Sequence, residues 1–189
     1  MKRILLYFAT VMLLSSCGYN SMVEKDEEVA RAWSAVETQY QRRSDLIPNL
    51  VNTVKGYADF EQETLTAVVE ARAKATSVQV NVDELNPQSI ARFQEAQQEL
   101  SGALSRLLVS VERYPDLKAS TQFSQLQAQL EGTENRISVA RDKYNSSVGD
   151  YNTYIRKFPR NMIAGIFSFE QKGYFESASG SDKAPSVEF

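Results

Sequence analysis

Two hydrophobic seams constrain this chain more than any other feature. The first places Met22, Val29, Trp33, Val36, Tyr40, Ile47, Leu50, Val54 and Tyr57 in alternating steps of three and four, once Asp26 and Arg43 fill two seam positions. The second places Phe123, Leu126, Leu130, Thr133, Ile137, Ala140, Tyr144, Val148, Tyr151 and Ile155 in the same rhythm. Heptad spacing of this kind keeps one face of a helix against a neighbour for its whole length. It predicts a first helix over about 20–57 and a last one from near Pro115 to about Phe158. At 1.5 Å per residue these are about 57 and 65 Å long.

Between them lie two shorter helices, about 60–77 and 87–113. Asp59 offers an N-cap oxygen to the first, with Gln62 at the third position of a capping box. Leu65, Val68, Val69 and Ala75 give it an apolar side, and Ile90, Phe93, Leu100, Leu104, Leu107 and Val111 do so for the second. The linking VQVNVDELNPQ reads as loop, because its alternating valines have no other strand to pair with. The expected fold is all-α, an antiparallel up-down four-helix bundle with two long helices. The short helices cover only the half distant from residue 17, so the near half is expected to be mainly a two-helix stalk. A single straight rod from the first two helices is the weaker alternative, since it leaves apolar surface unpaired.

RRSDLIPNLV, residues 42–51, puts a proline inside the first seam. Pro48 has no N–H for the Ser44 carbonyl, and Ile47 cannot cap a new helix. The heptad register nevertheless continues, so a bend rather than a break is expected. Arg43 lies on the seam one turn earlier. In an antiparallel register it falls near Ile137, with Glu134 within a turn. A buried guanidinium needs an acid or free carbonyls. Glu134 and the Ser44 carbonyl are the candidates; the other outcome is that Arg43 snorkels to solvent.

MKRILLYFATVMLLSSCG, at the start, has Lys2 and Arg3, an apolar run from Ile4 to Leu14, and small residues before Cys17. It reads as a secretory leader too short to span a bilayer comfortably. Leu14-Ser15-Ser16-Cys17 matches the bacterial lipobox, and Cys17 is the chain's one cysteine. Cleavage of 1–16 is expected, with diacylglycerol on Cys17. Several acyl chains anchor stably where one is marginal. Loss of Lys2 and Arg3 takes the formal charge from −3 to −5. Gly18 is not Asp, which by the sorting rule of enteric bacteria favours the outer membrane over the inner.

Composition narrows the chemistry. There is no histidine, so the commonest general base and metal ligand are missing. One cysteine makes neither an intrachain disulfide nor a zinc cluster. The negative charge gives nucleic acid no electrostatic footing. No phosphate loop, catalytic triad, metal spacing or nucleotide fingerprint occurs. No catalytic residue, metal site or cofactor is assigned. Asp26, Glu27 and Glu28 suit the first turn of a helix. Arg42, Arg43 and Arg72 read as structural rather than as an anion clamp. The pairs Tyr144-Asn145 and Tyr151-Asn152, seven residues apart, suit a partly wet seam; a carbohydrate role for the rings needs a groove.

YNSMVEKDEEVARAWSAVETQYQRRSDLIPNLVNTVKGYADFEQETL with EARAKA, and ERYPDLKASTQFSQLQAQLEGTENRISVARDKYNSSVGDYNTYIRKFP, resemble the two halves of the LemA family. RRxDLIPNLV and LEGTENRI are the specific strings. The resemblance covers nearly all of 17–176 and implies a four-helix bundle attached to a bacterial membrane. Many relatives use a transmembrane helix where this chain carries its lipobox. The family supplies no catalytic residue.

NMIAGIFSF follows Pro159, which stops the last helix. Ile163, Ile166, Phe167 and Phe169 make it a candidate docking segment; the bland reading folds it onto Tyr19 and Met22. Residues 177–189 are polar and small and read as disordered. Two functions are carried forward. One is a lipid-anchored, non-catalytic interaction or scaffolding module with an envelope protein partner. The other is an envelope enzyme or small-ligand binder using Arg, Asp and Glu within the bundle.

Overall fold

The computed structural model describes residues 2–56 and 61–176, with side chains from Gly18 onward. Tyr57, the Asp59 cap, the Cys17 side chain and the tail 177–189 lie outside the described residues. The described chain is all-helical, with six α-helices and no strand. They are α1 (Lys2–Lys55), α2 (Gln62–Ser77), α3 (Pro87–Val111), α4 (Pro115–Lys118), α5 (Thr121–Arg156) and α6 (Arg160–Ile166).

Each seam is buried where its side chains are described. Met22, Val29, Trp33, Val36, Ile47, Leu50 and Val54 have no exposed surface, and Tyr144 and Val148 have none on the other side. Burial of each such aliphatic side chain stabilises by about 1.5–3 kcal/mol. Lys25 lies over the Tyr154 ring, Trp33 meets Tyr144, and Arg43 meets Glu134. Partners thus descend along α5 as they ascend along α1. The seams alone place Val36 beside Tyr144; the ring that meets Tyr144 edge-on is Trp33, nearly one turn earlier. In the same way Glu61 pairs with Arg113 and Lys74 with Glu99 across α2 and α3.

As expected, α1 is not broken at Pro48. Three details differ from the expectation. α1 runs back to Lys2 rather than starting near residue 20. The last long helix does not start at Pro115. The one-turn α4 comes first, and Ser120, in extended backbone, restarts the chain with its hydroxyl accepting from the Phe123 N–H. Helical N-termini favour such a residue because it satisfies a backbone donor that has no partner within the helix.

The third difference is larger. The half nearer residue 18 is not a bare two-helix stalk. Its apolar cluster joins Met22–Tyr40 and Ile137–Ile155 to Val80 and Leu85 of the α2–α3 connection, Ile90 and Phe93 of α3, Ala164 of α6, and Phe175. The other half is a second cluster, of Ile47–Val54, Leu65–Ala75, Leu100–Val111, Leu117 and Phe123–Leu130. After α6 the chain returns along α5 as a non-helical strap, residues 170–176, which supplies the missing cover.

Candidate functional site

Where the two apolar clusters meet, the interior turns polar. Arg43 is 1% exposed, and its guanidinium is shared among several elements. Nη1 donates to Glu134 Oε1 at 2.7 Å and to Ser101 Oγ at 2.8 Å. Nη2 donates to Gln97 Oε1 at 2.5 Å and to the Gln97 carbonyl at 3.2 Å. The Gln97 amide passes the connection on, donating to the Ala75 carbonyl at the end of α2. One layer therefore ties α1, α2, α3 and α5. The structure brings Arg43 and Glu134 together and keeps Arg43 from solvent; Glu134 itself is 48% exposed.

Pro48 belongs to the same layer through the acceptor it frees. Arg72 Nε, from α2, donates to the Ser44 carbonyl at 2.9 Å. The two candidates raised for Arg43 thus divide: Glu134 takes Arg43, and the Ser44 carbonyl takes Arg72. Arg42 lies apart, on an open flank with Glu37 and Asp45.

Toward residue 18, the tyrosine-asparagine pairs of α5 hold the strap. Asn152 Nδ2 donates to the Lys172 carbonyl and its Oδ1 accepts the Lys172 N–H, both at 2.9 Å. Asn145 does the same for Phe175, again at 2.9 Å. Gln94 of α3 repeats the two-point grip on Glu176 at 3.0 Å. Tyr151 and Tyr144 hydroxyls donate to the Glu170 and Gly173 carbonyls at 3.0 Å. Burial pushes the pKa of both phenols above the ordinary 10.0, so both keep the proton they donate.

Phe175 enters a box of Trp33, Phe93 and Tyr144, with ring centroids at 6.0, 6.3 and 5.4 Å. The Arg141 guanidinium closes it, 4.8 Å from the Phe175 centroid. Lys172 pairs with Asp26 at 3.1 Å, which accounts for the acid on the first seam. Gly173 donates to the Leu85 carbonyl at 2.8 Å, and a Cβ there would lie 2.7 Å from Pro87 Cα. Only glycine fits so close to another backbone. Sequence reasoning noticed the Tyr-Asn repeat and missed the strap.

At the end nearer residue 18, α6 folds onto α1 at Gly18 and Tyr19. The Phe167 and Phe169 rings lie 4.8 and 5.8 Å from Tyr19, and Ile163 Cδ1 approaches Gly18. Ile163 and Phe169 pack against the core. Met162, Ile166 and Phe167 stay 62%, 76% and 56% exposed, and Phe158 is also exposed. On the flank between α1 and α5, an open groove of about 970 Å³ is lined by small residues and by Arg31, Arg136 and Lys143, without an acid. Among the described residues no three of His, Cys, Asp or Glu converge as metal ligands. Among them, too, no helix is long and apolar enough to cross a membrane.

These features define an all-helical rod with a polar layer at mid-length and an apolar end. Residues 32–189 match the LemA family, and the chain belongs to it. It is 26% identical to the Magnetosome protein MamQ 2 of Paramagnetospirillum magneticum, over 93% of this chain and 70% of that one. It is 27% identical to the Magnetosome protein MamQ of Magnetospirillum gryphiswaldense, over 94% and 71%. It is 26% identical to the Protein LemA of Metamycoplasma hominis, over 84% and 69%.

Proposed function

We propose that this LemA-family chain is a lipid-anchored, non-catalytic interaction module of the bacterial cell envelope. Its body is an up-down four-helix bundle, and it meets an envelope protein partner. The observation that carries this reading is the apolar end. Phe158, Met162, Ile166 and Phe167 are exposed on and just around α6, whose Ile163 reaches Gly18, the residue next to Cys17. A contiguous exposed apolar patch marks a contact surface. With acyl chains on Cys17 this end faces the bilayer, where it meets lipid and a membrane partner together. Processing before Cys17 removes 1–16, and Gly18 directs the mature chain to the outer membrane where the cell has one.

The interior supports a structural rather than a chemical role for the buried charge. Arg43 and Arg72 are committed to Glu134, Ser101, Gln97 and the Ser44 carbonyl. The small-ligand alternative has its cations in the α1–α5 groove. Arg31, Arg136 and Lys143 there offer an anion contact but no acid-base pair.

Fractionation with mass spectrometry tests the anchor. The membrane-extracted chain is expected to begin at an acylated Cys17, and Cys17→Ser to leave it unprocessed or released. An unmodified N-terminus at Gly18 or later overturns the reading.

A further inference from the structure

Exposed apolar side chains gather at one end of the bundle. Tyr19, Val23, Phe158, Met162, Ile166 and Phe167 are exposed there. The remaining large ones, four valines and Tyr174, are scattered over α2, the α2–α3 connection, α3, α5 and the strap. Ile163 and Phe169 pack against the core, so the patch stands on a fixed backbone. Charge is arranged around it. The stretch 151–169 contains no Asp or Glu and carries Arg156, Lys157 and Arg160. Arg156 and Lys157 are exposed and make no ion pair among the described residues. The Arg160 guanidinium lies 4.0 Å from the Tyr154 ring centroid, and Lys25 approaches the same ring at 5.7 Å. Lys25 is seven residues along α1 from Gly18, a rise of about 10.5 Å. The four cations therefore form a collar within about 10 Å of the apolar tip. The neighbouring acids do not reach below it: Glu24 is level with Lys25, and Glu170 is held at Tyr151, further from the tip than Tyr154.

We infer that this end is itself a bilayer-binding surface, selective for anionic lipid headgroups. The inference rests on the reading that the end faces a membrane, and adds what it binds there. An interfacial segment buries its apolar face about 5–10 Å into the boundary between headgroups and acyl chains. At that depth Phe158, Met162, Ile166 and Phe167 meet hydrocarbon, and the collar of Lys25, Arg156, Lys157 and Arg160 meets the phosphates. The half-buried Tyr154 ring between two cations suits the same layer, where aromatic rings of this kind concentrate. Lipid is the occupant because the cations follow the apolar tip along the rod axis, in the order of headgroup and hydrocarbon in a leaflet. Each Lys or Arg near an anionic surface favours binding about fivefold. A rod tethered at Cys17 alone pivots on that point; this second contact fixes its end to the surface.

Tryptophan quenching tests this. The full chain, extracted from membranes, carries Ile166→Trp with Trp33→Phe, which removes its one native tryptophan. It is reconstituted into vesicles of brominated phosphatidylcholine, with and without phosphatidylglycerol. Emission from position 166 is expected to be quenched by the brominated chains, and more strongly with phosphatidylglycerol. Arg156→Gln with Lys157→Gln should weaken insertion in the phosphatidylglycerol vesicles by about fivefold for each cation removed. Val109→Trp, at the far end of α3, should stay unquenched. An unquenched probe at 166, quenching that ignores phosphatidylglycerol, or quenching unchanged by loss of both cations overturns the inference. If Trp33→Phe fails to fold by circular dichroism, Ile166→Trp in the native chain is read as the difference from the unaltered chain, and the same outcomes decide. The mass of the N-terminal peptide from the same sample reports the anchor separately. An acylated Cys17 with an unquenched probe sinks this inference and leaves the anchor standing; a quenched probe on an unacylated chain does the reverse.

Discussion

Arg43 and Glu134 are unequal partners. The guanidinium is almost wholly buried, whereas the carboxylate is nearly half exposed. Arg43→Ala leaves Gln97, Ser101 and Glu134 without their shared donor, and is expected to cost about 3–5 kcal/mol in denaturant melts. Glu134→Ala removes one charge-assisted bond while Gln97 and Ser101 still hold the guanidinium, and should cost about 1.5–3 kcal/mol. The double variant should show a coupling of about 0.5 kcal/mol or more; purely additive losses would contradict the layer. Half of this node was legible, since the seam put Arg43 inside and Glu134 within a turn. Gln97 and Ser101 were not, because no heptad rule fixes how α3 sits against α1. The phenols make a second prediction. Tyr144 and Tyr151 are held protonated when folded, with pKa values raised above 10.0. The unfolded chain loses those protons first, so their contribution is intact below about pH 10 and falls as pH rises beyond it. Tyr144→Phe loses its bond to Gly173 at neutral pH, yet its melting temperature should fall less steeply above pH 10 than that of the wild type.

At the scale of an element, α1 shows how a helix keeps a proline. The frayed ladder leaves the Ser44 carbonyl without an intrahelical donor, and Arg72 brings one from α2. Arg72→Ala should therefore cost about 1–3 kcal/mol, the penalty for a buried acceptor left unmet. In a Pro48→Ala background the helix supplies its own N–H, so the same change should cost measurably less; equal costs in both backgrounds would separate Arg72 from the proline. The helices themselves were legible from period and length, to within a few residues at most ends; the starts of α1 and α5 were not. The restart at Ser120 was not, because the apolar spacing begins only at Phe123 and nothing before it marks a gap. The strap escaped for a different reason. Seven residues with no periodicity and outward-facing Gln171 and Tyr174 look like the start of a solvated tail. Its signal lay elsewhere, in asparagines placed two turns apart beside a buried seam, where an amide needs a main chain to satisfy it.

For the whole molecule, the exposed apolar residues of α6 lie at the end of the bundle that holds Gly18 and Tyr19. Ile166 and Phe167 are exposed while Ile163 and Phe169 pack, so the reading that folds the segment onto the bundle holds for only part of it. Ile166→Ser with Phe167→Ser should change thermal stability in detergent by less than about 1 kcal/mol, as surface changes away from the core do. The same variant should weaken membrane retention of a chain carrying Cys17→Ser, read by salt-resistant sedimentation. The most direct measurement of the central claim is photocrosslinking in membranes from cells making the full chain, with the probe placed at position 166. A probe at 109, exposed on the last turns of α3 at the far end, is the control. The account predicts lipid and discrete protein adducts at 166 and none at 109; equal labelling at the two positions, or none at 166, would contradict it.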